Sequence, residues 1–220
     1  MPRESKTAKK LRAAAIVEAL KQKYPSAECA LLYEGEPWRL LVMGRLSAQC
    51  TDARVNIVCR DLFARFPTPK AMAEGPLEEI EDIVRPCGLY RTKAANIKDA
   101  CARLVDVYDG VLPNSMDELL TFPGVGRKIA NLLLGDIYHR PAIVADTHCI
   151  RISERLGLTP AGCKDPLKTE QALVPLIAPE EQSDFCHRIV WFGREVCTAR
   201  SPKCDDCSLA ALCPNKKRAL

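Results

Sequence analysis

Residues 115–134 read SMDELLTFPGVGRKIANLLL, and the glycines near the middle decide how the rest of the chain is read. Ser115, followed three residues on by Glu118, is a capping box, so a short helix begins there with Met116, Leu119 and Leu120 as its apolar residues. Pro123 and Gly124 stop it, and a second helix starts near Arg127, burying Ile129, Leu132 and Leu133. Two helices joined by a tight F-P-G-V-G turn form a helix-hairpin-helix. Gly124 and Gly126 carry no side chain, so the backbone from Gly124 through Val125 and Gly126 to Arg127 can approach a ligand closely. The N–H groups entering the second helix are unpaired and lie at its positive end, which makes the turn an anion site suited to a phosphate. It is not a mononucleotide P-loop, because the four-residue glycine spacing and the hydroxyl after the lysine are missing.

Lys128 falls in the first turn of the second helix, where a positive charge is disfavoured. A neutral lysine amine is a nucleophile towards a sugar C1′ and can form a Schiff base. A surface lysine that contacts phosphate is the alternative these residues leave open.

Outward from this block the apolar pattern stays helical. Val55, Val58, Leu62 and Phe66 recur at spacings of three and four after a cap at Thr51 or Asp52. Pro76 opens a helix carrying Leu77, Ile80 and Ile83. A longer one presents Ile97, Cys101, Leu104 and Tyr108 and ends at Gly110. Residues 40–46 are apolar almost all round, as in a helix buried at a centre. Only Ala142 to Val144 looks extended. The chain is expected to be all-α with about ten helices.

With 220 residues, 47% of them apolar, the chain can bury a real core, and no run of about 18 apolar residues suggests a membrane span. The first residues carry Lys6, Lys9, Lys10 and Arg12 without an apolar stretch, so no secretory signal is expected and the chain is placed in the cytoplasm. A net charge of +4, from 32 basic and 28 acidic residues, permits nucleic-acid binding without requiring it. Lys9 and Lys10 at one end, and Lys216, Lys217 and Arg218 at the other, read as solvated tails.

Twelve cysteines are present. Cys29, Cys50, Cys59, Cys87, Cys101, Cys149, Cys163 and Cys186 are scattered through apolar helical segments and read as small buried hydrophobes. Cys197, Cys204, Cys207 and Cys213 instead form C-x6-C-x2-C-x5-C, where helical periodicity gives way to Pro202 and Pro214. Four thiolates at this spacing make a metal site, and spacing alone leaves zinc and an iron–sulfur centre both open.

The block LTFPGVGRKIANLLL (120–134), followed by VADTHCIRISERLGL (144–158), resembles the endonuclease III family of helix-hairpin-helix DNA glycosylases. LLVMGRLSAQCTDARVN (40–56), CGLYRTKAANI (87–97) and the cysteine tail match the same family in order. The resemblance implies a bifunctional glycosylase and abasic-site lyase acting on oxidised pyrimidines in duplex DNA, with the C-terminal cysteines holding a [4Fe–4S] cluster. It assigns Lys128 as the nucleophile, Asp146 as the carboxylate that supports departure of the base, and His148 to the lesion pocket. A carboxylate suits that task because glycosidic cleavage passes through an oxocarbenium-like state. Asp146 is equally placed to cap the helix that begins at Thr147.

Gln49 and Leu89 carry over as wedges that fill the stack when a nucleotide flips out; without the resemblance they read as a helix-end polar residue and a core leucine. Arg200 and Lys203, on the loop pinned between Cys197 and Cys204, are expected to meet phosphates, with Ser201 where the family has a further basic residue. Arg45 stands where related adenine-mismatch glycosylases carry a glutamate, and those enzymes lack the hairpin lysine. The expected architecture is two helical domains flanking a DNA cleft. Roughly residues 30–140 form a six-helix domain bearing the hairpin, and 1–29 with 141–220 form the other, which ends in the iron–sulfur loop 197–213. A monomer acting on damaged or abasic duplex DNA in the nucleoid is expected. The rival readings are a non-catalytic DNA-binding module, an electron-transfer protein and a mismatch-thymine glycosylase.

Overall fold

A computed structural model describes residues 4–216; Lys217 and Arg218 lie outside them. The described residues hold eleven α-helices, joined by short 3₁₀ turns, and no strand. In chain order the helices are α1 (Lys6–Lys23), α2 (Pro37–Leu46), α3 (Asp52–Arg65), α4 (Pro69–Glu74), α5 (Leu77–Val84) and α6 (Tyr90–Tyr108). They continue as α7 (Met116–Leu119), α8 (Arg127–Asp136), α9 (Thr147–Arg155), α10 (Pro166–Leu173) and α11 (Gln182–Glu195). No helix among the described residues is long and apolar enough to cross a membrane.

The chain divides into two compact units. One spans Cys29–Tyr138; the other joins the described residues up to Glu28 with those from His139 onward. In the first, α2 is the central helix, with Trp38, Leu40, Leu41, Val42, Met43 and Leu46 all buried, and it packs on α3, α6 and α8. Thr51 caps α3 by accepting a hydrogen bond from the Arg54 N–H, and Val55, Val58, Leu62 and Phe66 are buried as the spacing predicts. In α5, Ile80 and Val84 are buried, whereas Leu77 is exposed at the first position because Pro76 sits outside the helix as its N-cap. Asp109, in the left-handed region at φ 49°, caps α6 ahead of Gly110.

In the second unit α1 packs on α11, and α11 packs in turn on α9. The apolar stretch Ala142–Ala145 is buried but irregular, and it is tied to α11 by the Val144 N–H donating to Cys186 Sγ at 3.2 Å. All twelve cysteines are free. Cys59, Cys87, Cys101, Cys149 and Cys186 are buried as expected, and burial pushes the Cys101 thiol up to about 12. Cys29, Cys50 and Cys163 are only half-buried, because they lie in loops between helices.

Candidate active site

The hairpin is built as its sequence dictates. Ser115 Oγ accepts from the Glu118 N–H at 3.3 Å and contacts Glu118 Oε2 at 2.5 Å, which starts α7. Phe122 is buried and stacks on Tyr108 of α6 with centroids 5.3 Å apart, and Arg103 Nε donates to Thr121 Oγ1 at 3.0 Å. Those contacts fix the entry to the turn. Gly124 has φ +74°, and Val125 is buried, its N–H donating to the Phe122 carbonyl at 3.0 Å. Gly126 is the N-cap of α8 and makes no side-chain cap, so nothing from its own side chain occupies the first N–H groups of the helix. On α8, Ala130, Leu133 and Leu134 are buried, but Ile129 and Leu132 are only half-buried. These two lean on Gly44 of α2, where a Cβ would lie 3.2 Å from an Ile129 methyl.

The two glycines serve different needs. A Cβ on Gly126 would meet nothing within 4 Å, so its bareness answers to no neighbour in the protein and leaves room for a ligand. A Cβ on Gly124 would lie 2.4 Å from Arg45 Nε and 2.7 Å from Asn96 Oδ1. Arg45 Nε donates to Asn96 Oδ1 at 2.9 Å, so the pair forms a floor under the turn. Burial lowers the basicity of this guanidinium. The partner of an arginine on an apolar helix was invisible in the sequence because it sits on α6, 51 residues away.

Lys128 is the second residue of α8 and is exposed; it makes no hydrogen bond or ion pair with the described residues. Arg127, beside it, is exposed too. Gln49 and Leu89 are both exposed, and both adopt the left-handed region, at φ 55° and φ 48°. Leu89 is 60% exposed, so it is not a core residue.

In the other unit Asp146 is the N-cap of α9, its Oδ1 accepting from the Cys149 N–H at 2.7 Å. No described hydrogen bond engages Oδ2. His148 is half-buried, and Arg151 Nη2 lies 3.2 Å from its Nδ1. Since a guanidinium only donates, Nδ1 accepts and the ring proton sits on Nε2. A Cβ on Gly193 would fall 2.3 Å from that Nδ1, so α11 needs a glycine where the histidine packs.

Arg151 Nη2 also donates to the Cys197 carbonyl at 3.1 Å, while Arg155 donates to the Thr198 carbonyl at 2.7 Å, the Ala199 carbonyl at 2.8 Å and Cys197 Sγ at 3.4 Å. Two arginines of α9 thus grip the start of the cysteine loop. Sequence reasoning missed both; the arginines were visible on the helix, but their carbonyl targets more than 40 residues on were not.

Cys197, Cys204, Cys207 and Cys213 line one cavity of about 50 Å³. Among the described residues no three His, Cys, Asp or Glu side chains converge tightly enough to hold a single metal ion. Four cysteines lining one cavity match the four-thiolate ligand set of an iron–sulfur centre. The four residues therefore fit an iron–sulfur cluster, and Arg155 at the Cys197 sulfur supplies the kind of hydrogen bond that supports a ligating thiolate. Arg200 and Lys203 are exposed on this loop.

Residues 42–179 match the model of the HhH-GPD superfamily of base excision DNA repair proteins, and residues 197–213 match the iron–sulfur binding domain of endonuclease III. The chain is 47% identical over 208 residues to endonuclease III of Synechocystis sp., covering 94% of each chain. It also superposes with a TM-score of 0.88, at 42% identity and over 94% of its length and 96% of theirs, on two solved structures. One is a non-covalent endonuclease III–DNA complex, the other a trapped endonuclease III–DNA covalent intermediate. The chain belongs to the endonuclease III family, within the HhH-GPD superfamily of base excision DNA repair proteins.

Proposed function

We propose that this protein excises oxidised pyrimidines from duplex DNA and then cleaves the abasic site, with Lys128 as nucleophile and Asp146 as its carboxylate partner. The observation that carries this reading is Lys128 itself, exposed and unpaired among the described residues, in the first turn of a helix whose N-terminal amides are left open by Gly126. The covalent intermediate trapped in a relative with the same fold supports it.

The Lys128 amine adds to C1′ of the flipped nucleotide as the bond to the base breaks and the base leaves with a proton. The Asp146 carboxylate, oriented by its bond to Cys149, offsets the positive charge that develops on the sugar. In the amine adduct the C1′–O4′ bond breaks, O4′ takes a proton and stays on C4′ as a hydroxyl, and C1′ becomes a Schiff base; loss of a C2′ proton to solvent then breaks the C3′–O bond and releases the 3′ phosphate by β-elimination. Gly124 to Arg127 and the exposed Arg200 and Lys203 hold phosphates, while Gln49 and Leu89 fill the vacated stack. His148, held by Arg151 at its Nδ1, lies at the lesion pocket. A [4Fe–4S] cluster held by Cys197, Cys204, Cys207 and Cys213 supplies metal–thiolate bonds that fold the basic loop. The protein acts as a monomer on chromosomal DNA in the cytoplasm.

Duplexes containing thymine glycol, dihydrouracil, an abasic site, or adenine opposite 8-oxoguanine test the reading. Excision of both oxidised pyrimidines with strand nicking, and cleavage of the abasic site, is the expected result. Binding without nicking would leave a DNA-binding module, and adenine release alone would make the protein a mismatch glycosylase.

A further inference from the structure

Lys93 of α6 is fully buried. Its Nζ donates to the Leu46 carbonyl at 2.9 Å and to the Cys87 carbonyl at 2.8 Å. Leu46 is the last residue of α2, just before the turn that carries Gln49; Cys87 ends a 3₁₀ turn, just before Gly88 and Leu89. Both acceptors are thus C-terminal carbonyls, where the backbone dipole favours a cation.

Each turn holds a strained residue. Gln49 at φ 55° and Leu89 at φ 48° are left-handed without being glycine, and such strained conformations persist only where the surroundings over-determine them. Around Gln49 the Ser47 hydroxyl donates to the Gly44 carbonyl at 2.8 Å and the Cys50 N–H to the Ser47 carbonyl at 3.1 Å; around Leu89 the Gly88 N–H donates to the Arg85 carbonyl at 3.1 Å. Those bonds shape each turn separately. The Lys93 ammonium is the group that joins one turn to the other, and a buried cation is too costly to be retained without good acceptors.

We propose that Lys93 is a positioning residue for nucleotide extrusion: it ties the Gln49 turn to the Leu89 turn and so fixes the spacing at which the two side chains enter the DNA stack. The proposal rests on the reading of Gln49 and Leu89 as wedges. Lys98, five residues further along α6, provides an internal control. Its Nζ also donates to two carbonyls, those of Ala73 and Gly75, but they close the end of α4 and lead to no wedge.

The test is the single-turnover rate on a duplex with a paired dihydrouracil divided by the rate on a ready-made abasic site, measured on one preparation of each variant. Extrusion of a paired base needs the wedges far more than cleavage of an abasic site does. A ratio from one preparation does not depend on the folded fraction, so loss of stability leaves it unchanged. Lys93→Met is expected to lower the ratio about ten-fold or more, and Lys98→Met to hold it within about two-fold of the parent. Lys93→Gln, which keeps a donor for one carbonyl, falls between, and gives the answer should Lys93→Met fail to fold. Gln49→Ala and Leu89→Ala run alongside. If they lower the ratio while the Lys93 variants track Lys98→Met, the proposal is overturned and the wedges stand. If neither wedge variant lowers it, the wedge reading fails and takes the proposal with it.

Discussion

In the proposed mechanism Asp146 serves the fold and the chemistry with different atoms. Oδ1 caps α9 through the Cys149 N–H, and Oδ2 is the oxygen proposed to face the reacting sugar. Asparagine caps a helix about as well as aspartate, so Asp146→Asn is expected to unfold in urea within about 0.5 kcal/mol of the parent. Its excision rate should nonetheless fall by several orders of magnitude, since a neutral amide cannot offset charge on the sugar. Asp146→Ala should lose about 1 kcal/mol of stability besides. Normal excision by Asp146→Asn would reduce the residue to a cap. The cap at Asp146 was legible in the sequence because residue type and position before one helix define it, whereas its proposed catalytic role came only with the family resemblance. Arg45 was not, since its role depends on Asn96 and Gly124, which the fold brings to it from elsewhere.

Helix α9 joins the proposed catalytic carboxylate to the cysteine loop. Its N-cap is Asp146, and its Arg151 and Arg155 hold the carbonyls of Cys197, Thr198 and Ala199. The Arg155 carbonyl in turn accepts from Asn215 Nδ2 at 2.9 Å and lies 3.4 Å from Cys213 Sγ. Cys204→Ser should therefore lose iron and the broad absorbance of the cluster and should loosen the loop, while the helices of Cys29–Tyr138 keep their protection from amide exchange. Stoichiometric zinc without iron in anaerobically prepared parent protein would contradict the cluster assignment. At this scale the sequence showed where helices begin, as at Thr51 and Ser115, because caps are local. It overstated burial at Ile129 and Leu132 because a helical period shows an apolar stripe but not how wide the neighbouring helix is.

For the whole molecule the pattern of apolar residues was enough to read an all-α chain, and the hairpin and cysteine spacings marked its two most specific features. The modest charge of +4 said little, because DNA binding depends on where exposed cations stand; Arg127 and Lys128 on α8, and Arg200 and Lys203 on the cysteine loop, are exposed and are the ones proposed to meet phosphates. The account as a whole depends on one covalent bond, between Lys128 Nζ and C1′ of the damaged nucleotide. Borohydride added during turnover reduces a Schiff base and leaves a stable protein–DNA adduct. With the parent protein on an abasic duplex the account predicts a trapped adduct; with Lys128→Gln, which lacks the amine, it predicts none while duplex binding is retained. An adduct formed by Lys128→Gln as readily as by the parent would contradict it and leave Lys128 a phosphate contact.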